Sequence, residues 1–189
     1  MIHKFYDGSD YLRLEQKYEY MLQTDISKCF YHIYTHSIAW AIKGKEAAKK
    51  TKGRQGTFED SIDRLMQNCN YAETNGILVG PEVSRIFAEI ILQRIDVDVL
   101  ECLKKKACLH VGTDYEIRRY VDDYFIFANS EKNLRDVKGA LVDCLSAYHL
   151  DLNDSKTKTI HRPFSNGKNN AKIELKELIT SEVGPYLEL

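Results

Sequence analysis

Two neighbouring aspartates, Asp122 and Asp123, interrupt the stretch RRYVDDYFIFANS, whose flanks are rich in strand-forming aromatic and branched residues. Such flanks on both sides of a short polar pair predict a β-hairpin. Aspartate is a favoured turn residue, so one interpretation of the pair is a solvated loop. Neighbouring carboxylates repel each other unless a cation holds them, so the other interpretation is a site for a hard divalent ion.

A third aspartate, Asp25, lies near the end of a predicted strand at residues 20–26, YMLQTDI. A strand end and a hairpin tip can meet at the edge of one sheet although they are distant in sequence. Three carboxylates suit Mg²⁺ and leave room for water and substrate phosphates. Two such ions about 3.5–4 Å apart can clamp the attacking and leaving oxygens of a phosphoryl transfer. Spacing alone still favours the solvated turn.

The rest of the chain predicts the elements that must position these aspartates. Apolar residues at helical spacing predict helices at 33–50, at 57–70, from Pro81 to about Lys105, and from about Ser130 to Tyr148. The second and third helices carry these apolar stripes: Ile62, Leu65, Met66 and Cys69, then Val83, Ile86, Phe87, Ile90 and Ile91. A hairpin at 115–128 and a strand, turn and strand at 150–160 complete an α+β fold with an antiparallel sheet.

Composition limits the class of protein. The chain has 189 residues, which is enough for one domain with a hydrophobic core. Of these residues 43% are apolar and 29% are charged, and no apolar run is long enough to span a membrane. The five cysteines show no CxxC spacing and the N-terminus has no apolar signal core, which predicts reduced cytoplasmic thiols and no zinc site. Residues 43–54 hold six basic residues. Such a run is usually solvated, and it becomes a candidate contact for phosphates only if a nucleotide site lies nearby.

Four stretches together resemble the catalytic motifs of reverse transcriptases, in that family's order, over roughly residues 20–162. YVDD at 120–123 resembles the YxDD signature, and QTDISKCFYHIYTHSIAWAI resembles the first motif, an aspartate followed five residues later by an aromatic. GILVGPEVSRIFAEIIL resembles the second motif and LDLNDSKTKTI the lysine-bearing fourth. The wording of DISKCF, IYTHSI and VGPEVSRI is closest to bacterial retron, abortive-infection and defence-associated enzymes.

The resemblance implies a polymerase palm, an α+β fold in which an antiparallel sheet with a catalytic hairpin packs against helices. It implies that Asp25 and Asp122 bind two Mg²⁺ ions, with Mn²⁺ as an alternative metal. Asp123 supports that site, and the backbone carbonyl of Ile26 completes the shell of one ion. Lys156 aligns with the lysine that protonates the departing pyrophosphate, although a surface lysine on a loop is an equal alternative.

Three further residues match positions that bind nucleotide or primer in the family. Phe30 falls where an aromatic packs under the incoming sugar and excludes a 2′-hydroxyl, although an aromatic plugging the core is the alternative. Gly80 lets the backbone approach the nucleotide or template closely. Tyr120 lies beside the primer end, with ordinary strand packing as its alternative.

The activity implied is an RNA-directed DNA polymerase that transfers nucleotides from dNTPs to a primer 3′-hydroxyl, in the bacterial cytoplasm and in antiviral defence. Its partners would be an RNA template, a DNA or protein primer and dNTPs, without a membrane. A template-independent or protein-primed DNA polymerase uses the same aspartates. A nucleotide cyclase shares the palm architecture, but the first and lysine motifs argue against it. An inactive palm that serves as a binding or assembly module is the non-enzymatic alternative.

Two features depart from the family pattern. Val79 stands where many reverse transcriptases have a glutamine, so template and nucleotide contacts there differ. Only 24 residues precede Asp25 and fewer than 30 follow residue 162. We therefore expect residues 1–165 to form a palm with partial fingers, and residues 166–189 a tail with a weak helix at KIELKELI that begins a missing thumb. Uncovered palm surface predicts self-association or a partner chain, and the chain alone is expected to be inactive if it lacks that complement.

Overall fold

The structure is a computed structural model that describes residues 9–50 and 56–164. These ranges contain seven α-helices, four strands and one π-helical turn. In chain order they are α1 (Ser9–Lys17), β1 (Tyr20–Asp25), α2 (Cys29–His32), α3 (Ser37–Lys43), α4 (Lys45–Lys50), α5 (Phe58–Cys69), α6 (Glu82–Cys102), the π-helical turn (Leu103–Ala107), β2 (Tyr115–Tyr120), β3 (Asp123–Ala128), α7 (Glu131–Ser146) and β4 (Lys158–His161).

The four strands form one antiparallel sheet in the order β2-β3-β1-β4, which confirms the predicted α+β fold. β2 and β3 are the two arms of the predicted hairpin. β1 lies between β3 and β4, and its pairing with β3 runs from Tyr20 opposite Ala128 to Asp25 opposite Asp123. This register brings the end of β1 and the start of β3 to the same end of the sheet.

Strand β3 separates two apolar layers because its side chains alternate between the faces of the sheet. Tyr124 and Ile126 point into the larger core, and Phe125 and Phe127 point into a smaller one on the opposite face. The larger core is closed by α6 and α7. The smaller core is closed by α1 and by Phe164, whose ring lies 5.7 Å from that of Phe127. The aspartates therefore sit at the end of a sheet that is covered on both faces.

The region predicted as one helix at 33–50 holds two shorter helices, α3 and α4, and residues 33–36 are not helical. The short helix α2 lies wholly before this region. α2 begins earlier, at Cys29, and ends at His32. Gly44 separates α3 from α4 with a φ of 81°, a backbone conformation that glycine adopts without steric cost. The helical periodicity of the sequence could not reveal this break, because the residues on both sides are good helix formers.

Helix α5 forms where predicted, but part of its predicted apolar stripe was wrong. Met66 is buried and Ile62 packs against the core, whereas Leu65 is 48% exposed and Cys69 is also exposed. The rest of the buried face carries two acids. Glu59 forms an ion pair with Lys43 of α3, and Asp63 contacts the imidazole of His36, the residue directly before α3.

The later elements follow the prediction closely. α6 runs from Glu82 to Cys102 and continues into the π-helical turn, although Ile86 of its predicted stripe is exposed. α7 begins after Ser130, whose hydroxyl accepts a hydrogen bond from the Asn133 N–H at 3.1 Å, as expected of a helix cap. In the region 150–160 the first predicted strand is reduced to an isolated bridge of Leu152 with Ile26, the residue after β1, and β4 begins at Lys158.

The predicted helix at KIELKELI and the tail at 166–189 lie outside the described residues. Among the helices that the structure describes, none combines the length and the apolar character that a membrane crossing requires.

Candidate active site

Asp25 ends β1 and is buried, with 9% of its surface exposed. Its Cα partner across the sheet is Asp123, the first residue of β3. Its backbone carbonyl accepts a hydrogen bond from the Asn153 N–H at 2.8 Å. The end of β1 is thus held on one side by the hairpin and on the other by the loop before β4.

Asp122 lies in the two-residue turn of the hairpin, after Val121. Val121 has a φ of 56°, the left-handed region in which a β-branched residue is strained by roughly 1–2 kcal/mol. Two-residue hairpin turns with a positive φ at this position usually have glycine there. The carbonyl of Asp122 accepts a hydrogen bond from the Ile26 N–H at 3.0 Å. The turn is therefore fixed to the end of β1 in a conformation that valine disfavours.

The three aspartates form one electrostatic unit. The pKa of Asp123 is raised, first because burial disfavours its charged form and then because Asp122 and Asp25 are negative nearby. Within the described part of the chain, the buried Oδ1 of Asp25 has no hydrogen-bond partner. Its Oδ2 accepts a hydrogen bond from Lys156 Nζ at 2.9 Å. The site thus has a buried oxygen without a donor and a carboxylate held against like charge.

These features fit a divalent cation. An orphaned buried carboxylate oxygen and mutually repelling carboxylates are both relieved by a bound ion, and oxygen donors are those that Mg²⁺ and Mn²⁺ prefer. In residues 9–50 and 56–164, no three acidic, histidine or cysteine side chains already converge in the geometry of a metal site. The residues that would hold an ion are Asp25, Asp122 and Asp123.

Lys156 is positioned by the loop that precedes β4. The Asn153 carbonyl accepts hydrogen bonds from the Lys156 N–H at 3.1 Å and from the Thr157 hydroxyl at 3.0 Å. The Thr157 hydroxyl also lies 2.8 Å from that of Thr24, a buried residue next to Asp25. The hydrogen bond from Lys156 raises its pKa, because Asp25 stabilises the charged ammonium.

The anchors of this loop were missed at the sequence level. Thr24 and Asn153 are common residue types, and only the pairing of β1 with the loop gives them a role. The placement of Thr24 directly before Asp25 was the one signal available.

The structure brings the first two predicted motifs together. The Phe30 carbonyl accepts a hydrogen bond from the Ile77 N–H at 2.8 Å. Gly76 has a φ of 87°, and a Cβ there would stand 3.0 Å from the Tyr31 carbonyl oxygen, so the close approach of the two chains requires glycine. The Phe30 side chain is half-buried and packs against the larger core. Both interpretations of this ring, core packing and a floor for a sugar, are compatible with that position.

Gly80 and Tyr120 are both accessible to a ligand. Gly80 has a φ of 117° and nothing within 4 Å of the place where a Cβ would lie. Tyr120 ends β2, is exposed, and is the Cα partner of Asp123 across the hairpin. Ile26 has a buried side chain and bridges to Leu152, so only its backbone can face the aspartates. The roles given to these residues remain predictions.

The basic run at 43–54 is only partly described. Lys43 pairs with Glu59, and the Lys45 ammonium lies 4.4 Å from the centre of the Trp40 ring, so both have structural partners. Lys49 and Lys50 are exposed in the last turn of α4. Lys52 and Arg54 lie outside the described residues.

Comparison with protein families gives one match over most of the chain. A family model described as reverse transcriptase (RNA-dependent DNA polymerase) matches residues 1–178. Comparison with curated protein sequences gave no match.

Several solved structures are similar in fold. An apo telomerase from Candida tropicalis gives a TM-score of 0.56 at 15% identity, over 82% of this chain and 31% of that one. A telomerase from Candida albicans in complex with a TWJ fragment of telomeric RNA gives a TM-score of 0.53 at 14% identity, over 87% of this chain and 30% of that one. An apo telomerase from C. tropicalis truncated from its C-terminal domain gives a TM-score of 0.52 at 18% identity, over 88% of this chain and 35% of that one. The chain thus spans about a third of the length of these structures.

Proposed function

Because this chain belongs to the reverse transcriptase family of RNA-dependent DNA polymerases, we propose that it is the catalytic palm of such an enzyme, with Asp25, Asp122 and Asp123 as its metal site. The observation that supports this most is the register of β1 with β3, which sets Asp25 opposite Asp123 and leaves Asp122 in the adjoining turn. A solvated hairpin loop would not need a buried aspartate from another strand beside it.

The reaction we propose is transfer of a nucleotide from a dNTP to the 3′-hydroxyl of a primer. Two Mg²⁺ ions, or Mn²⁺ in their place, would supply the acidity that activates this hydroxyl and the positive charge that balances the triphosphate. Asp25 and Asp122 would hold these ions, Asp123 would support the site, and the Ile26 carbonyl would provide a further oxygen. The burial of Asp25 limits water around its carboxylate and so would strengthen its interaction with a cation.

Lys156 is the proton donor in this proposal. Its ammonium already contacts Asp25 and keeps its proton, since its pKa is raised by that contact. A proton from Lys156 would neutralise the departing pyrophosphate. Phe30 would form the floor under the sugar, Gly80 would admit the nucleotide or template backbone, and Tyr120 would lie beside the primer end.

In our proposal the described residues provide the palm, and the solved structures that are similar in fold are about three times as long as this chain. Residues 1–165 are, in this proposal, the palm with partial fingers. An RNA template is supported by the family and by the RNA-bound C. albicans telomerase, which is similar in fold. The primer is DNA or protein, and exposed palm surfaces provide contacts for a second copy or a partner chain.

We place the enzyme in the bacterial cytoplasm, in the group of retron, abortive-infection and defence-associated reverse transcriptases. This rests on the wording of DISKCF, IYTHSI and VGPEVSRI. The test is phage plating on bacteria that carry the full gene. A lower plaque count than with the Asp122→Asn gene is expected, and equal counts would remove the defence role.

The activity is tested by primer extension on RNA of known sequence, followed by sequencing of the product. We expect DNA complementary to the template. A product unrelated to the template would indicate a template-independent polymerase. Absence of product, from this chain and from the full-length protein alike, would favour a binding or assembly module.

A further inference from the structure

Arg119, at the penultimate position of β2, is buried at the back of the catalytic hairpin. Only 8% of its side chain is exposed, although an arginine at a sheet end would ordinarily reach into water. A buried guanidinium needs charged or hydrogen-bonding partners to offset its lost hydration. Its neighbour Arg118 points to the opposite face of the sheet, where it pairs with Glu116 and Asp10.

Helix α6 supplies the two carboxylates that balance Arg119. Glu89 and Asp96 are seven residues apart and so lie on one face of the helix. Glu89 accepts from Nη1 at 2.8 Å and from Nη2 at 2.9 Å, a two-pronged contact, and Asp96 accepts from Nε at 2.8 Å. This geometry uses the fixed fork of the guanidinium, which a lysine cannot reproduce.

One further donor contact connects this cluster to the turn. Arg119 Nη1 also donates to the carbonyl of Val121 at 3.0 Å. Val121 is the residue with a positive φ in the turn, directly before Asp122. The carbonyl of Asp122 is held from the other side by the Ile26 N–H, so both carbonyls of the two-residue turn are fixed.

The same cluster holds the residue after the two aspartates. The hydroxyl of the buried Tyr124 donates to Asp96 Oδ1 at 2.9 Å. Asp122 and Asp123 therefore lie between two residues that are linked to α6. Val121 is linked to it through Arg119, and Tyr124 is linked to it through Asp96. An ion pair that served only to pack α6 on the sheet would not need the contact to the turn carbonyl.

We propose that Arg119 is a positioning residue for the reaction: with Glu89 and Asp96 it fixes the strained turn so that Asp122 and Asp123 are held where the metal ions and substrate meet. This inference rests on the proposed function. It predicts that loss of the guanidinium slows the chemical step more than it weakens nucleotide binding, because displacement of the carboxylates by a fraction of an ångström is sufficient to slow the reaction.

The test compares Arg119→Met with Arg118→Met, a matched change one residue away on the opposite face. For each folded variant, kcat, KM for dNTP and the Mg²⁺ concentration for half-maximal rate are measured in primer extension. We expect Arg119→Met to lower kcat about ten- to a hundredfold and to raise the Mg²⁺ requirement, with KM changed by no more than about twofold. Arg118→Met should stay near the wild type, and Arg119→Lys should recover part of the rate.

A kcat within about twofold of the wild type for Arg119→Met would overturn the proposal and leave the proposed function intact. If the wild type makes no DNA either with or without the flanking sequence that its gene encodes, the proposed function fails. The role of Arg119 is then tested by hydrogen exchange of the metal-free protein. Faster exchange at residues 120–124 in Arg119→Met, but not in Arg118→Met, supports the turn-holding role. Equal exchange in both variants overturns it. Glu89→Gln, which keeps the size of the side chain, replaces Arg119→Met if that variant does not fold.

Discussion

Asp123 is a carboxylate that the fold holds at an energetic disadvantage. Its pKa in the folded chain lies above the ordinary value because of burial and of the negative Asp122 and Asp25. The folded chain therefore binds this proton more tightly than the unfolded chain does. The resulting destabilisation is absent below the ordinary carboxyl pKa and is fully present once the pH exceeds the raised one.

Asp123→Asn is therefore expected to stabilise the metal-free protein at neutral pH. Thermal unfolding with a chelator should show Tm higher than the wild type by roughly 1–3 °C at pH 7. This difference in Tm should disappear near pH 3, which is about one unit below the ordinary carboxyl pKa. Asp143→Asn, an exposed aspartate on α7, is the control and should show no such gain. A Tm for Asp123→Asn equal to the wild type at pH 7 would contradict the electrostatic account of the site.

Lys156→Gln tests the proposed role of Lys156 as proton donor to the pyrophosphate. Because Gln cannot donate a proton to pyrophosphate, we expect a loss in kcat of about a hundredfold, with KM for dNTP little changed. The matched control is Lys138→Gln, which removes another lysine that pairs with an aspartate of the same loop, Asp154. If both lysine variants retained the wild-type kcat, Lys156 would be the surface lysine of the alternative interpretation.

The meeting of Asp25 and Asp123 at one end of the sheet could be predicted from sequence, because their positions are marked locally by a strand end and by a polar turn between two strand-forming runs. Arg119 could not, because what distinguishes it from Arg118 is the presence of Glu89 and Asp96 on a helix that begins more than thirty residues earlier. Both arginines have the same local sequence context. Only the packing of α6 on one face of the sheet separates them.

At the scale of elements, α5 shows why an apolar stripe does not always mark the buried face. Helix α3 and the residue directly before it present Lys43 and His36 to α5, so the acids Glu59 and Asp63 face inward, where Glu59 pairs with Lys43 and Asp63 contacts the His36 imidazole. Leu65 then turns outward although it belongs to the apolar stripe. Helical periodicity predicts that a helix is amphipathic, and the charges of the adjoining elements decide which residues are buried.

This orientation of α5 predicts opposite outcomes for two adjacent residues. Met66→Ala should lower the free energy of unfolding by about 2–4 kcal/mol, because it leaves a cavity in the core. Leu65→Ala should change it by no more than about 0.5–1 kcal/mol, since the side chain is half-exposed. Urea unfolding of both variants provides the measurement. Equal losses for the two variants would mean that α5 is rotated relative to the structure.

At the scale of the whole molecule, a net charge of −1 means that attraction to RNA must come from local clusters of basic residues. Lys49 and Lys50 are exposed at the end of α4, within the basic run. If they contact phosphates, the double variant Lys49→Gln with Lys50→Gln should bind RNA with a weaker salt dependence. The slope of log affinity against log salt concentration should decrease in magnitude by about 1–2.

That slope is obtained from RNA affinity at several salt concentrations. Lys104→Gln with Lys105→Gln, in the π-helical turn, is the control of equal charge and should bind like the wild type. An unchanged slope after loss of Lys49 and Lys50 would make the basic run a solvated helix end.

We propose that three carboxylates at one end of the sheet carry out nucleotidyl transfer, and the decisive variant is Asp122→Asn. The measurement is Mg²⁺-dependent primer extension on an RNA template, by the wild type and the variant, each with and without the flanking sequence that its gene encodes. We expect DNA synthesis by the wild type, in one or both lengths, and its loss in a folded Asp122→Asn protein. Synthesis by Asp122→Asn at the wild-type rate would contradict it.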